Sequence, residues 1–237
     1  MKKEIVRIIL LAAMFPALCM SQKKQKPDVK RYFMHSHGLA FQQFDDLSER
    51  VNANPQYTPL KNTTGTLQFG LMTERSKVVL HFSGASGSSF SGSKTRKSTA
   101  IRSLSGAVDI GYIILDHKRV TVYPFAGIGY TLFTVVLRKD ISSVPFDSVL
   151  RSPAVQQSIA PVKLTNSFIN WRLGAAINIA SVRHPRNSFG IQAGYTGGFN
   201  KQEWKINDMQ SLLSSPKDGL SQFFVQLLIR YRLQKRG

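Results

Sequence analysis

Apolar and polar residues alternate with a period of two over most of this sequence. That pattern restricts the chain to sheet structures with one apolar face. Leu104, Val108, Ile110, Tyr112 and Ile114 share one parity, and Ser103, Ser105, Ala107, Asp109 and Gly111 share the other. Val120, Val122, Ala126, Ile128, Tyr130 and Leu132 repeat the pattern. So do Ile169, Trp171, Leu173, Ala175, Ile177 and Ile179 against Asn170, Arg172, Gly174, Ala176 and Asn178. Phe189, Ile191, Ala193, Tyr195 and Phe199 oppose Gln192, Gly194, Thr196 and Asn200. Phe223, Val225, Leu227, Ile229, Tyr231 and Leu233 oppose Gln222, Gln226, Arg230 and Arg232. Two shorter stretches agree: Leu67, Phe69 and Leu71 against Gln68 and Gly70, and Val78, Leu80 and Phe82 against His81 and Ser83. Residues 31–44 change parity near Gly38, where a bulge is expected. Eight strands are predicted, near 31–44, 64–73, 77–92, 98–115, 119–138, 165–181, 188–203 and 220–234.

The connections alternate in length. Residues 74–76, 116–118 and 182–187 are short, 45–63, 139–164 and 204–219 are long, and 93–97 is the exception. A soluble sandwich has no reason to gather its tight turns at one end, although parity alone does not separate the two cases. An outer-membrane barrel does gather them, with short periplasmic turns and long external loops. The expected fold is therefore all-β, an eight-stranded antiparallel up-and-down transmembrane β-barrel with both mature termini in the periplasm. No run of eighteen apolar residues follows residue 20, which excludes a polytopic helical membrane protein.

The first residues read as an export address. Lys2, Lys3 and Arg7 precede a short apolar run from Ile8 to Leu18, and cleavage is expected after Ser21. Cys19 offers a second reading as a lipoprotein cysteine, but Leu18 is bulky for the position before it. The expected organisation is a signal peptide at 1–21, a basic periplasmic segment at 22–30 and a barrel at 31–237. With one cysteine in the sequence, disulfide scaffolds and cysteine-based metal sites are excluded. The formal charge is +19, and an exported barrel has no nucleic acid to meet.

The segment Tyr123-Pro124-Phe125-Ala126-Gly127-Ile128-Gly129-Tyr130 resembles a strand motif of small outer-membrane β-barrels. Asn170-Trp171-Arg172-Leu173-Gly174-Ala175 and Gly190-Ile191-Gln192-Ala193-Gly194-Tyr195 resemble the strands that follow it. Over roughly residues 30–234 the chain is similar to Bacteroidota outer-membrane barrels, OmpA-like in size, a group that includes the PorT-like barrels of type IX secretion. The resemblance implies the fold and a place in the envelope. It departs at the C-terminus, where Gln234-Lys235-Arg236-Gly237 replaces the usual terminal aromatic residue.

Eight strands enclose an interior just wide enough for side chains. Phe125, Phe133, Arg119, Arg172, Arg230, Gln192 and Gln226 are the inward candidates. Buried charges need partners, so the inward acid Asp109 is expected to meet His81, Arg172 or Arg230. These four form the candidate polar network of the lumen. A symmetric 93–97 hairpin sets His81 opposite Asp109 with Ser83 two residues away, which also permits a catalytic reading. His81 lies close to a short turn, however, whereas lipid A chemistry belongs at the outer leaflet. His35 and His37 form an alternate-residue pair without an evident third metal ligand, and Gly84 to Gly92 lacks the Lys and helix start of a phosphate loop. No metal and no cofactor is expected.

Cations cluster toward the short-turn end. Lys23, Lys24, Lys26, Lys30, Arg31, Arg232, Lys235 and Arg236 form a candidate basic periplasmic rim. Such a rim attracts anionic lipid headgroups or an acidic partner. The expected partners are outer-membrane lipids and lipopolysaccharide, with an acidic periplasmic or secretion-machinery protein as the candidate docking partner. The function expected is that of a non-enzymatic envelope component. The alternative is a lipid A-modifying barrel, an acyl hydrolase or transferase.

Overall fold

The computed structural model describes residues 29–93, 96–182, 186–206 and 210–233. Eight long strands run β1 Val29–Gln42, β2 Thr63–Arg75, β3 Val78–Gly92, β4 Ser98–Tyr112, β5 Val120–Arg138, β6 Val162–Ala180, β7 Asn187–Gly198 and β8 Ser221–Arg232. Each pairs antiparallel with its neighbours in sequence, and β8 pairs with β1, from Tyr32 opposite Arg232 to Gln42 opposite Gln222. The sheet therefore closes into an eight-stranded antiparallel barrel and leaves no long edge.

Residue parity sets the two surfaces. Leu104, Ile128, Ile169, Leu173 and Leu227 stand on the outer face and are more than half exposed. They belong to a belt that continues through Phe33, Leu71, Phe82, Ile110, Ile177, Ile191 and Val225. An apolar belt of this size is what acyl chains solvate and water does not. No helix among the described residues is long and apolar enough to cross a membrane, and the apolar belt is carried by the strands. β5 and β6 have 19 residues each, and spanning takes roughly 9–11. Their outer halves project beyond the belt.

Two tight turns close on side-chain-bearing residues with positive φ. Ser76 (56°) links β2 to β3, and Lys118 (51°) lies between the short strand Leu115–His117 and β5. Lys118-Arg119 is that turn, so Arg119 is exposed at its tip rather than directed into the lumen as expected. β4 also ends earlier than predicted. Ile113 turns inward to the core and its N–H donates to Lys77 O at 2.7 Å, before the chain resumes pairing at Leu115.

The bulge expected at Gly38 is absent. β1 pairs without interruption on both sides, through Gly38 opposite Thr66 and Gln226. The apparent change of parity arises because Tyr32, Met34 and Ala40 point into an apolar layer of the lumen while His35 and His37 point outward. The lumen is layered accordingly. Near the short turns Met34, Met72, Val79, Ile113, Tyr123, Phe125 and Leu228 pack together. At the long-loop end Phe44, Ile101, Phe133, Val135, Phe168, Trp204 and Leu220 form a second apolar core. Polar side chains fill the space between.

The long connections carry their own structure. Helix α1, Asp45–Asn52, buries Leu47 and Val51 against the outer core. Helices α2, Phe146–Arg151, and α3, Pro153–Ile159, bury nothing. Residues 199–220 return Trp204 and Leu220 to the barrel mouth.

Candidate functional site

The central polar layer is organised by Asp109. Its Oδ2 lies 3.1 Å from His81 Nδ1 and 3.2 Å from Arg172 Nη1, and all three side chains are nearly buried. The register behind this, His81 opposite Asp109 and Gly92 opposite Ser98, is the one a symmetric 93–97 hairpin requires. The Arg172 guanidinium also lies over the Phe224 ring, 5.2 Å from its centroid. Glycine makes the room: a Cβ on Gly127 would stand 2.2 Å from Asp109 Oδ1, and one on Gly174 would stand 2.5 Å from Phe125 Cζ. The glycines of the Tyr123–Tyr130 and Asn170–Ala175 motifs thus record where large side chains cross the lumen.

Arg230 does not join Asp109. Its Nε donates to Ser188 Oγ at 2.8 Å, its Nη1 approaches Met72 Sδ at 3.5 Å, and its guanidinium lies over Tyr32, 5.0 Å from the ring centroid. Tyr32 in turn donates to Glu74, whose other oxygen pairs with Lys30 at 3.0 Å. A second charged layer therefore closes the short-turn end. Above Asp109 the contacts are neutral. Ser36 Oγ lies 3.1 Å from Gln226 Oε1 and 3.2 Å from Gln68 Oε1, and Asn170 Nδ2 donates to Thr131 Oγ1 at 3.0 Å. Between them a cavity of about 50 Å³ is lined by Ser83, Ala85, Ser103, Ser105 and Ala107 facing Gln68, Arg172 and Gln226. That volume holds a few waters, not a permeating solute.

The outer end is sealed by an arrangement the sequence pattern did not reveal. Phe44 meets Phe133 and Trp204 edge-on at 5.0 and 5.2 Å. Asp218 accepts from Trp204 Nε1 at 2.7 Å and from the backbone amides of Asp46 and Leu47 at 3.0 and 3.2 Å. Helix α1 has no capping side chain of its own, so Asp218 caps it from another loop. Burial pushes the Asp218 carboxyl up, while the Trp204 and amide donors oppose that shift. The local signals were the i, i+4 pair Leu47 and Val51 after Asp45-Asp46, and the single Trp of the 204–219 loop.

At the short-turn end the structure brings Arg31 and Arg232 onto adjacent strands, beside Arg75, Lys77, Lys118, Arg119 and Arg186 on the turns, with Glu74 and Asp116 as the nearby acids. Of the rim cations, Lys30 is tied to Glu74. Lys23, Lys24, Lys26, Lys235 and Arg236 lie outside the described residues, as do Cys19 and the whole segment expected to be a signal peptide. His35 and His37 face outward with ring centroids 5.6 Å apart. No group of three or more metal-ligating residues occurs among the described residues.

No family model matches the sequence, and no curated protein matches it. Solved structures do match. A major outer membrane protein from Thermus thermophilus aligns at a TM-score of 0.55 with 12% identity, covering 86% of this chain and 99% of that one. OprG from Pseudomonas aeruginosa aligns at 0.48 with 13% identity, covering 86% and 96%. Ail, the attachment invasion locus protein of Yersinia pestis, aligns at 0.47 with 12% identity, covering 87% and 99%. With the closed register and the apolar belt, the Thermus likeness makes this chain a small eight-stranded β-barrel of the outer-membrane type.

Proposed function

We propose that this barrel is a non-enzymatic component of the outer membrane that works through its surfaces, docking an acidic, secretion-associated periplasmic partner on its basic rim. The observation that carries this reading is the filled lumen. Among the described residues, two charged layers, a polar layer and an aromatic cap fill the lumen and leave neither a path for a solute nor a mouth for a substrate. The chemistry that remains accessible is on the rims, and at the short-turn end it is mostly cationic. The strand motifs that resemble PorT-like barrels of type IX secretion support a docking role, and anionic headgroups of lipid and lipopolysaccharide are the complementary lipid contacts.

The lipid A-modifying alternative would use His81 and Asp109. Asp109 is already neutralised by Arg172, and His81 is enclosed in the lumen on the short-turn side, away from the outer leaflet. The test is a pull-down from solubilised envelopes at low and high salt. The intact barrel is compared with a variant neutralised at Arg31, Arg75, Lys77, Lys118 and Arg119. A periplasmic partner that is retained at low salt, released at high salt and lost in the variant supports docking. Unchanged capture in the variant refutes it. Lipid A of altered acylation in cells carrying the protein would favour the enzyme instead.

A further inference from the structure

The outer face changes character toward the long loops on one side of the barrel. Phe82, Val108 and Ile128 share one hydrogen-bonded row of β3, β4 and β5. Six residues nearer the long loops, roughly 20 Å along the strands, the row is Ser88, Arg102 and Thr134. It lies just above Leu104 and Leu132 of the belt, and Arg102 is exposed on the same outward parity. Lys163 on β6 stands opposite Val136, and Arg138 stands two residues above Val136, so these two cations lie on a cross-strand diagonal of about 8 Å. Thr134 is opposite Thr165, which sets Arg102 two strands from Lys163 and about 12 Å away.

On the opposite side of the barrel, β1 and β8 carry Phe41 and Phe223 toward the same end, stacked 6.3 Å apart, so the cations form a patch and not a ring. Among the described residues, no hydrogen bond or ion pair engages Arg102 or Arg138. Asp140, the acid nearest Arg138 in sequence, has Arg96 and Lys97 as charged neighbours. A guanidinium at the border of an apolar belt lays its stem on that surface and its head among lipid headgroups. Ser88 and Thr134 flank Arg102 with hydroxyls. The row therefore offers several donors to oxygens that only accept, as those of a phosphate do.

We propose that the long-loop end of the outward β4–β6 face is a binding site for lipopolysaccharide. One phosphate of its disaccharide headgroup sits on Arg102, the other on Arg138 and Lys163, and its acyl chains lie on Leu104 and Leu132. Charge and spacing choose this occupant. A glycerophospholipid brings one headgroup phosphate, whereas two cationic centres on one face match a headgroup with a phosphate at each end. The site rests on the outer-membrane reading with the long loops outside, where this lipid lies. It is independent of the cations at the short-turn end.

Titration of the purified barrel in detergent micelles tests this, with bound lipid counted by native mass spectrometry and heat-modifiable migration showing each variant folded. The probes are bisphosphorylated lipid A, monophosphorylated lipid A and phosphatidylglycerol. Arg102→Gln or Arg138→Gln alone should weaken bisphosphorylated lipid A about fivefold, and the two together about thirtyfold. Monophosphorylated lipid A should bind the unaltered barrel about fivefold more weakly than the bisphosphorylated form. Lys61→Gln with Lys217→Gln removes the same charge at the same end but outside the patch, and should leave the affinity unchanged. Equal loss in the two double variants would overturn the proposal, as would binding unaffected by Arg102→Gln. So would equal affinity of the unaltered barrel for bisphosphorylated lipid A and phosphatidylglycerol. Because only lipid and barrel are present, failure here leaves the docking of a protein at the short-turn end to its own test.

Discussion

Removing the charge of Asp109 should damage the barrel, and removing its partner as well should repair it. In Asp109→Asn the Arg172 guanidinium keeps its place in the lumen with the Phe224 face and no counter-ion. Leaving one member of a buried pair uncompensated costs about 3–5 kcal/mol. Replacing both members, as Asp109→Asn with Arg172→Met, removes the uncompensated charge and preserves volume. That exchange is about neutral in buried sites. The double variant should therefore recover most of the loss, with a coupling energy of roughly 2–4 kcal/mol. The assay is equilibrium unfolding in guanidinium from lipid vesicles, read by the fraction that keeps the folded mobility on unheated gels. A single-variant cost below about 1 kcal/mol would refute the reasoning, as would a double-variant cost equal to the sum of the singles.

Other outcomes follow from the same layers. Gly174→Ala sets a Cβ 2.5 Å from Phe125 and should cost about 1–3 kcal/mol by overpacking, measured in the same assay. Leu173→Arg, on the lipid face, should cost about 2–4 kcal/mol while Leu173→Met is nearly silent; equal tolerance of both would reverse the assigned faces. Asp218→Ala should free the α1 amides and Trp204 and raise the rate of tryptic cleavage at Arg50 relative to that at Arg151, with the membrane-embedded strands still protected. Because burial raises the Asp218 carboxyl, its protonated form is the one the fold favours. The cap should be firmest below the ordinary carboxylate range and loosen as pH rises through the raised value. Trp204 emission in a Trp171→Phe background should follow that transition and lose it in Asp218→Asn.

Strand parity was legible because two solvents impose it. Lipid demands Leu, Ile and Val outside, and a lumen eight strands wide accepts only small, polar or singly large side chains inside. Where the lumen itself is apolar, at Met34 and Ala40, parity by hydrophobicity misleads, and a bulge was expected at Gly38 that the ladder does not contain. The His81–Asp109 contact was legible because hairpin symmetry fixes a register. Arg230 was not, because its direction depends on Ser188, Met72 and Tyr32, which come from three other strands. The cap joins residues 44–51 to 204–220 across most of the chain, and no local pattern encodes that pairing. Residues 204–219, with Leu212 and Leu213 among them, read from the sequence only as a long external loop. Both are indeed exposed, but Trp204 and Asp218 within the same loop are buried.

The central claim is a barrel whose interior is closed and whose work is done at its surfaces. Electrical recording from the purified protein in planar lipid bilayers tests it most directly. A lumen filled from Lys30–Glu74 to the Phe44–Trp204 cap should leave the bilayer as resistive as protein-free lipid, whatever the salt or voltage. Stable, ohmic conductance steps that scale with salt concentration and are absent from heat-denatured protein would show an open water path through the barrel, and would contradict the account.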